Sequence, residues 1–224
     1  MKRMPQIKIC GITRPEETEY LNQNQVDYAG FVFYEKSKRN VSISQAKKLM
    51  NLLDKNVKRT AVTVSPDAEL VQSIEQAGFD ILQVHREWKE SVLKSCKLPI
   101  WRAVNIQSIR EAKEQLEREK AFFIPQLTGF VVDGASYGGG ETFRWEDAEE
   151  DAPEAKAFAD LLHKMKEKTF ILAGGLKAQN VSEGIRIFSP DVVDVSSGVE
   201  GKDGKEKEKI EEFVKEVRKS ERIR

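Results

Sequence analysis

The sequence predicts a closed (β/α)8 barrel, and three observations carry that prediction. Short β-branched and aromatic runs alternate along the whole chain with longer charged stretches whose apolar residues recur at helical spacing. Eight such pairs fit into 224 residues. The strand-like runs are apolar without strict alternation, as strands covered on both faces are. Eight alternating units suit a parallel barrel. A doubly wound sheet would carry fewer strands, and its dinucleotide-binding form would show G-x-G-x-x-G after the first strand. Here that position reads Cys10-Gly11-Ile12-Thr13.

The elements follow in order. "QIKICGI" (6–12) is the first strand, and "RPEETEYLNQN" (14–24) a helix with Pro15 near its start. "YAGFVF" (28–33) is the second strand; a helix over 42–53 follows, with Ser44 as its expected N-cap. "RTAVTVS" (59–65) leads to a helix over 66–78 that Gly78 closes. "DILQVH" (80–85) and "PIWRAVNI" (99–106) are the fourth and fifth strands, followed by helices over 87–97 and 107–120. "TGFVVD" (128–133) is the sixth strand, with a Gly-rich loop and a helix over 152–167 after it. "TFILAGG" (169–175), a helix over 178–188 and "DVVDVSSG" (191–198) complete the ring. Ile210, Phe213, Val214 and Val217 mark one face of a last helix. The chain reads as one domain over 1–224, and "EGKDGKEKEKIEE" (200–212) as a solvated loop and helix face.

Composition excludes several classes. Lys plus Arg and Asp plus Glu each number 37, so bulk nucleic-acid binding is disfavoured. No apolar run approaches the roughly 18 residues of a membrane span, and the start is a poor signal peptide. Cys10 and Cys96 are far apart with no CxxC, which favours free thiols in a cytoplasmic protein. Two histidines, His85 and His163, make a His-rich metal centre unexpected.

In such barrels the site lies at the C-terminal ends of the strands. Those ends carry Cys10, the Ser37–Arg39 segment, Gln83 and His85, Arg102, Asp133, Gly174-Gly175, Asp194 and Ser196-Ser197-Gly198. "LAGGL" and "VSSGV" put bare backbone at two adjacent strand ends, where N–H groups can approach an anion. That pair suits a phosphate. Cys10 and Asp133 stand three strands apart around the ring, a thiol facing a carboxylic acid, which suits general acid–base chemistry. Taken alone, Cys10 reads as a small buried hydrophobe; Asp133 alone is a loop cap or an acid. Cys96, Trp88, Trp101 and Trp145 read as packing, and His163 as surface.

In this order the motifs resemble those of phosphoribosylanthranilate isomerases. They are "KICGIT", "AGFVF…SKRNVS", "LQVH", "VVDGASYGGGETFRW", "LAGGLKAQNV" and "DVSSGVEGKDGKEKEKI". The resemblance implies a single barrel without cofactor or metal, a monomer or homodimer, and an Amadori rearrangement of a phosphoribosyl substrate in tryptophan biosynthesis. It implies Cys10 as general base and Asp133 as general acid. Arg39 would hold the anthranilate carboxylate; Gly174, Gly175, Ser197 and Gly198 would give backbone to the phosphate, beside Ser196. Asp194 and His85 would lie near substrate. Some positions depart from the family: Ala61 and Thr63 replace a usual Gly and Phe, Arg86 a Gly, and Arg102 a Lys. The alternatives are a diverged, non-catalytic phosphate-binding barrel and another phosphosugar enzyme such as indole-glycerol-phosphate synthase. The latter calls for catalytic Lys and Glu at strand ends, where this chain offers Cys10 and Arg102.

Overall fold

The computed structural model describes residues 4–87, 89–106, 114, 124–134 and 168–219. Trp88, Trp145, His163, the loop over 135–143, the helix expected over 152–167 and, Glu114 apart, that over 107–120 lie outside these residues. The strands are β1 (Gln6–Cys10), β2 (Tyr28–Phe33), β3 (Lys58–Val64), β4 (Ile81–His85), β5 (Ile100–Ile106), β6 (Leu127–Gly134), β7 (Thr169–Leu172) and β8 (Val192–Val195). They form a closed barrel in chain order, and the parallel pairing of β1 with β8 closes it. The described helices are α1 (Pro15–Gln23), α2 (Ile43–Met50), α3 (Ala68–Ala77), α4 (Glu90–Ser95), α5 (Ala178–Phe188) and α6 (Lys207–Lys219). None is long and apolar enough to cross a membrane. The fold is the (β/α)8 barrel.

A strand's period of two sorts its side chains between two cores. Ile7, Ile9, Leu82, Val84, Phe130, Val132, Val193 and Val195 point outward and pack with helix residues such as Leu21, Ile74 and Phe213. Their neighbours in sequence point into the barrel. There Tyr28, Ile81, Trp101, Val131, Ile171 and Val192 fill one layer, and the Tyr28 and Trp101 rings lie 5.1 Å apart. Each fully buried side chain of this size contributes about 1.5–3 kcal/mol. The same alternation directs Lys8, Cys10, Gln83, His85, Asp133 and Asp194 inward, which makes the upper barrel polar.

The alternation also turns some residues away. Trp101, Ala103 and Asn105 share the inner face of β5, so Arg102 faces outward, where its Nη1 donates to the Val84 carbonyl at 3.3 Å. Its place at a strand end suggested a site residue; the register removes it. Ala61 and Thr63 are likewise outward on β3, Thr63 donating from Oγ1 to the Gln83 carbonyl at 2.9 Å.

Local chemistry sets the helix ends. Pro15 takes the first position of α1, where no N–H is needed. Glu17, fully buried, accepts from the Thr13 and Arg14 N–H groups at 2.7 and 3.1 Å and from the Lys205 N–H at 2.9 Å. It therefore ties α1 to the loop after β8. The N-cap of α2 is Ser42, whose Oγ accepts from the Gln45 N–H at 3.1 Å, and not Ser44, which lies two residues later, inside the helix, and pairs with the Ser42 hydroxyl. Gly78 ends α3 at φ 86°, the left-handed conformation that spares glycine its cost. Strands β7 and β8 are shorter than the sequence suggests. The chain leaves β geometry at Gly174 (φ 84°) and Gly175 (φ 61°), and Ser197–Val199 forms a single 3-10 turn.

Candidate active site

A cavity of about 420 Å³ opens at the C-terminal ends of the strands. Cys10 reaches it from β1 and Asp133 from β6. These strands are three pairings apart around the ring, so the two groups enter from nearly opposite sides. Gly30 on β2 pairs with Cys10, and a Cβ there would lie 2.9 Å from the sulfur. The glycine makes room for the thiol. Gly11 turns the chain away directly after it at φ 84°.

The floor is ionic. Lys8 Nζ donates to Asp194 Oδ2 at 2.6 Å, and Lys8 is fully buried. Burial pushes the Cys10 thiol up, while Lys8, Lys205 and Arg39 pull it down and Asp194 pushes it further up. Burial, reinforced by the Asp194 charge, pushes the Asp133 carboxyl up to about 7, against the opposing pull of the Gly134 N–H and Lys8. His85 is held at about 4 by burial and by nearby Lys8, so its ring is neutral at physiological pH. It lies beside Gln83, with 2.9 Å between Nε2 of each. Two buried cavity-lining acceptors, Asp194 Oδ1 and Gln83 Oε1, receive no hydrogen bond from the described residues. They are ready partners for ligand donors.

The loops after β7 and β8 meet backbone to backbone. A Cβ on Gly198 would lie 2.0 Å from the Leu176 carbonyl oxygen, and one on Gly174 would lie 2.3 Å from the Gly134 nitrogen. Gly174, Gly175, Ser196 and Ser197 line the cavity. Gly198 does not; it lets the second loop pack on the first. Ser196 Oγ donates to the Cys10 carbonyl at 2.9 Å, joining this rim to the base of the thiol. Asn180 Nδ2 holds the Gly175 carbonyl at 3.1 Å.

Arg39 lines the cavity from the segment after β2 and is held by Glu200: Nε donates to Oε1 at 2.5 Å and Nη2 to Oε2 at 2.8 Å. Lys205 Nζ donates to the same Glu200 Oε1 at 2.7 Å and to the Ser196 carbonyl and hydroxyl at 3.1 Å each. The run 200–212 is thus not solvated throughout. The Glu200 and Lys205 side chains are 9% and 1% exposed, because a buried Arg39 demands the carboxylate and the carboxylate admits a second cation. The sequence reading missed Lys8, Glu200 and Lys205. Lys8 had a signal: a lysine in an apolar strand, two residues before Cys10 and so on its face. Lys205 and Glu200 had none, since a charge run is usually a solvated surface.

Among the described residues, no group of three or more His, Cys, Asp or Glu is gathered as a metal site. Cys96 is buried at the end of α4, its thiol pushed up to about 11 by that burial, and lies outside the cavity.

The family model for N-(5'-phosphoribosyl)anthranilate (PRA) isomerase matches residues 7–216. The N-(5'-phosphoribosyl)anthranilate isomerase of Thermoanaerobacter sp. (strain X514) is 38% identical over 218 residues, covering 96% of this chain and 98% of that one. The crystal structure of phosphoribosyl anthranilate isomerase from Thermotoga maritima superposes with a TM-score of 0.80 at 26% identity, over 96% of this chain and 99% of that one. A phosphoribosyl anthranilate isomerase in complex with reduced 1-(o-carboxyphenylamino)-1-deoxyribulose 5-phosphate gives a TM-score of 0.74 at 26% identity, with the same coverage.

Proposed function

Because the chain belongs to the N-(5'-phosphoribosyl)anthranilate isomerase family of tryptophan biosynthesis, we propose that it performs the family's Amadori rearrangement with Cys10 as general base and Asp133 as general acid. The observation that carries this reading is their entry into one cavity from opposite sides of the ring, with the bare-backbone loops at its rim.

The chemistry suits the groups. Asp133 gives its proton to the furanose ring oxygen as the C1′–O4′ bond breaks and the nitrogen lone pair forms an iminium. An acid must hold a proton to do this, and a carboxyl at about 7 does so in a large fraction of molecules at neutral pH. The iminium acidifies the C2′ proton. The Cys10 thiolate removes it, and the electron pair left behind neutralises the iminium as an enaminol. That species tautomerises to the ketone, 1-(2-carboxyphenylamino)-1-deoxyribulose 5-phosphate. Burial opposes the thiolate; the adjacent iminium charge favours it once the ring is open.

The remaining residues orient the substrate. Gly174, Gly175, Ser196 and Ser197 present backbone and hydroxyl donors to the phosphate, and Gly198 holds their two loops together. Arg39 has N–H donors beyond the two that Glu200 accepts, and they serve the anthranilate carboxylate. Asp194 Oδ1 accepts from a ribose hydroxyl, and neutral His85 adds a further polar contact. The free thiols of Cys10 and Cys96 suit a cytoplasmic enzyme.

The test follows the loss of anthranilate-type substrate fluorescence in wild type, Cys10→Ala and Asp133→Asn. Each variant should keep the wild-type circular dichroism and lose about 10²–10⁴-fold in kcat. Full activity in either would remove that residue's role.

A further inference from the structure

The thiol of Cys10 sits in a buried place and needs a cation to become a base. Three cations point toward it. Lys205 already donates to three acceptors, Glu200 Oε1 and the Ser196 carbonyl and hydroxyl. A lysine ammonium has three protons, so no donor remains for sulfur. Arg39 is committed to Glu200 by a two-point contact, and its remaining N–H groups are the ones assigned above to the substrate carboxylate. Lys8 differs. It lies on the inner face of β1 two residues before Cys10, so both side chains enter the barrel from the same strand, and it is fully buried. Only one of its protons goes to Asp194, at 2.6 Å.

We propose that Lys8, held in place by Asp194, is a positioning residue for the general base: it is the buried cation that lets Cys10 carry a thiolate. The inference rests on the assignment of Cys10 as base. Asp194 explains how such a lysine stays charged. Burial alone would strip its proton, but the Asp194 carboxylate, helped by Cys10, outweighs burial and holds the ammonium above its usual value. The pair thereby presents a fixed charge to the sulfur without exposing it to water. Every charged group near Cys10 enters the balance. Lys8 acts from β1, Arg39 from the segment after β2 and Lys205 from the loop after β8, all favouring the thiolate. Asp194 acts from β8 against it. Asp133 lies across the cavity on β6, and neutral His85 stands on β4.

The experiment measures the alkylation rate of Cys10 by iodoacetamide against pH in a Cys96→Ala background, where a single thiol remains. Lys8→Met should raise the midpoint by about one unit or more, the effect expected when a neighbouring buried opposite charge is lost. Lys8→Arg, which keeps the charge, should hold the midpoint near the wild-type value. The basic limb of kcat/KM should move by the same amount in the same variants, which a merely structural lysine would not cause. Should Lys8→Met fail to fold around an unpaired Asp194, Lys8→Gln, which is neutral and can still donate to Asp194, is measured in the same way. An unchanged midpoint in whichever variant folds overturns the proposal and leaves the base assignment standing. Full turnover by Cys10→Ala overturns the base assignment and leaves the midpoint shift as a fact about the thiol.

Discussion

Arg39 and Glu200 are 161 residues apart in the chain, yet their side chains meet in a two-point contact of 2.5 and 2.8 Å. The contact ties the segment after β2 to the turn after β8, across β1 and directly beside Cys10. It fixes the guanidinium in one orientation at the cavity edge.

Removing Glu200 should therefore cost both stability and affinity. Glu200→Ala leaves Arg39 and Lys205 buried without their shared anion, a loss of about 2–4 kcal/mol in urea unfolding. KM should rise while the chemical step changes less. The guanidinium of Arg39 and the ammonium of Lys205 overcome burial and hold the Glu200 carboxyl well below the usual carboxylate range. With a depressed value, the contribution is fully present above the unfolded value of about 4.3 and fades as pH falls below it. Wild type should lose stability on acidification below about pH 4.3 more steeply than Glu200→Gln.

Asp133 has the opposite sign. Its carboxyl is raised from 3.8 to about 7, so its ionisation opposes folding, increasingly from pH 4 upward. Asp133→Asn should unfold at higher urea than wild type at pH 8, by about 1–3 kcal/mol, and the gain should vanish near pH 4. A variant that is inactive and more stable would mark a group kept for chemistry. Equal stability at both pH values would mean that Asp133 is not held protonated.

Arg86 is a substitution that breaks a local rule. It follows β4 at φ 57°, a left-handed conformation, where the family usually has glycine. Non-glycine residues occupy this region at a cost of about 1–2 kcal/mol, against about 0.5–1 kcal/mol of added chain entropy for glycine. Arg86→Gly should be neutral or stabilising by up to about 1 kcal/mol. Arg86→Val should destabilise by a similar amount. Thermal melts of the three proteins decide it.

Two glycines separate strain from function. Gly78→Ala forces a left-handed alanine into open space and should cost about 1–2 kcal/mol with unchanged kinetics. Gly198→Ala puts a methyl against the Leu176 carbonyl at 2.0 Å. It should cost about 1–3 kcal/mol and also raise KM, because the two loops proposed to receive the phosphate must part. Inorganic phosphate should inhibit it less than it inhibits Gly78→Ala.

The sequence by itself determined the alternation of eight strands and helices, and hence the end of the barrel where chemistry gathers. It determined the caps that depend on a few neighbours, such as Pro15 and Gly78, though the choice between Ser42 and Ser44 turned on one hydrogen bond. It also placed Cys10, His85, Asp133 and the two glycine loops at strand ends. Tertiary structure decided the rest. A period of two says that Arg102 opposes Trp101 and Ala103, but only closure of the ring says which face is inside. The pairing of β1 with β8 brings Asp194 to Lys8 over 186 residues and makes a buried lysine affordable. The same closure draws Glu200 out of a charged run and onto Arg39, with Lys205 sharing the carboxylate. Strand and helix periods are local and are written in consecutive residues. The partner of a buried charge is chosen by which strands become neighbours, and that is known only when the barrel has closed.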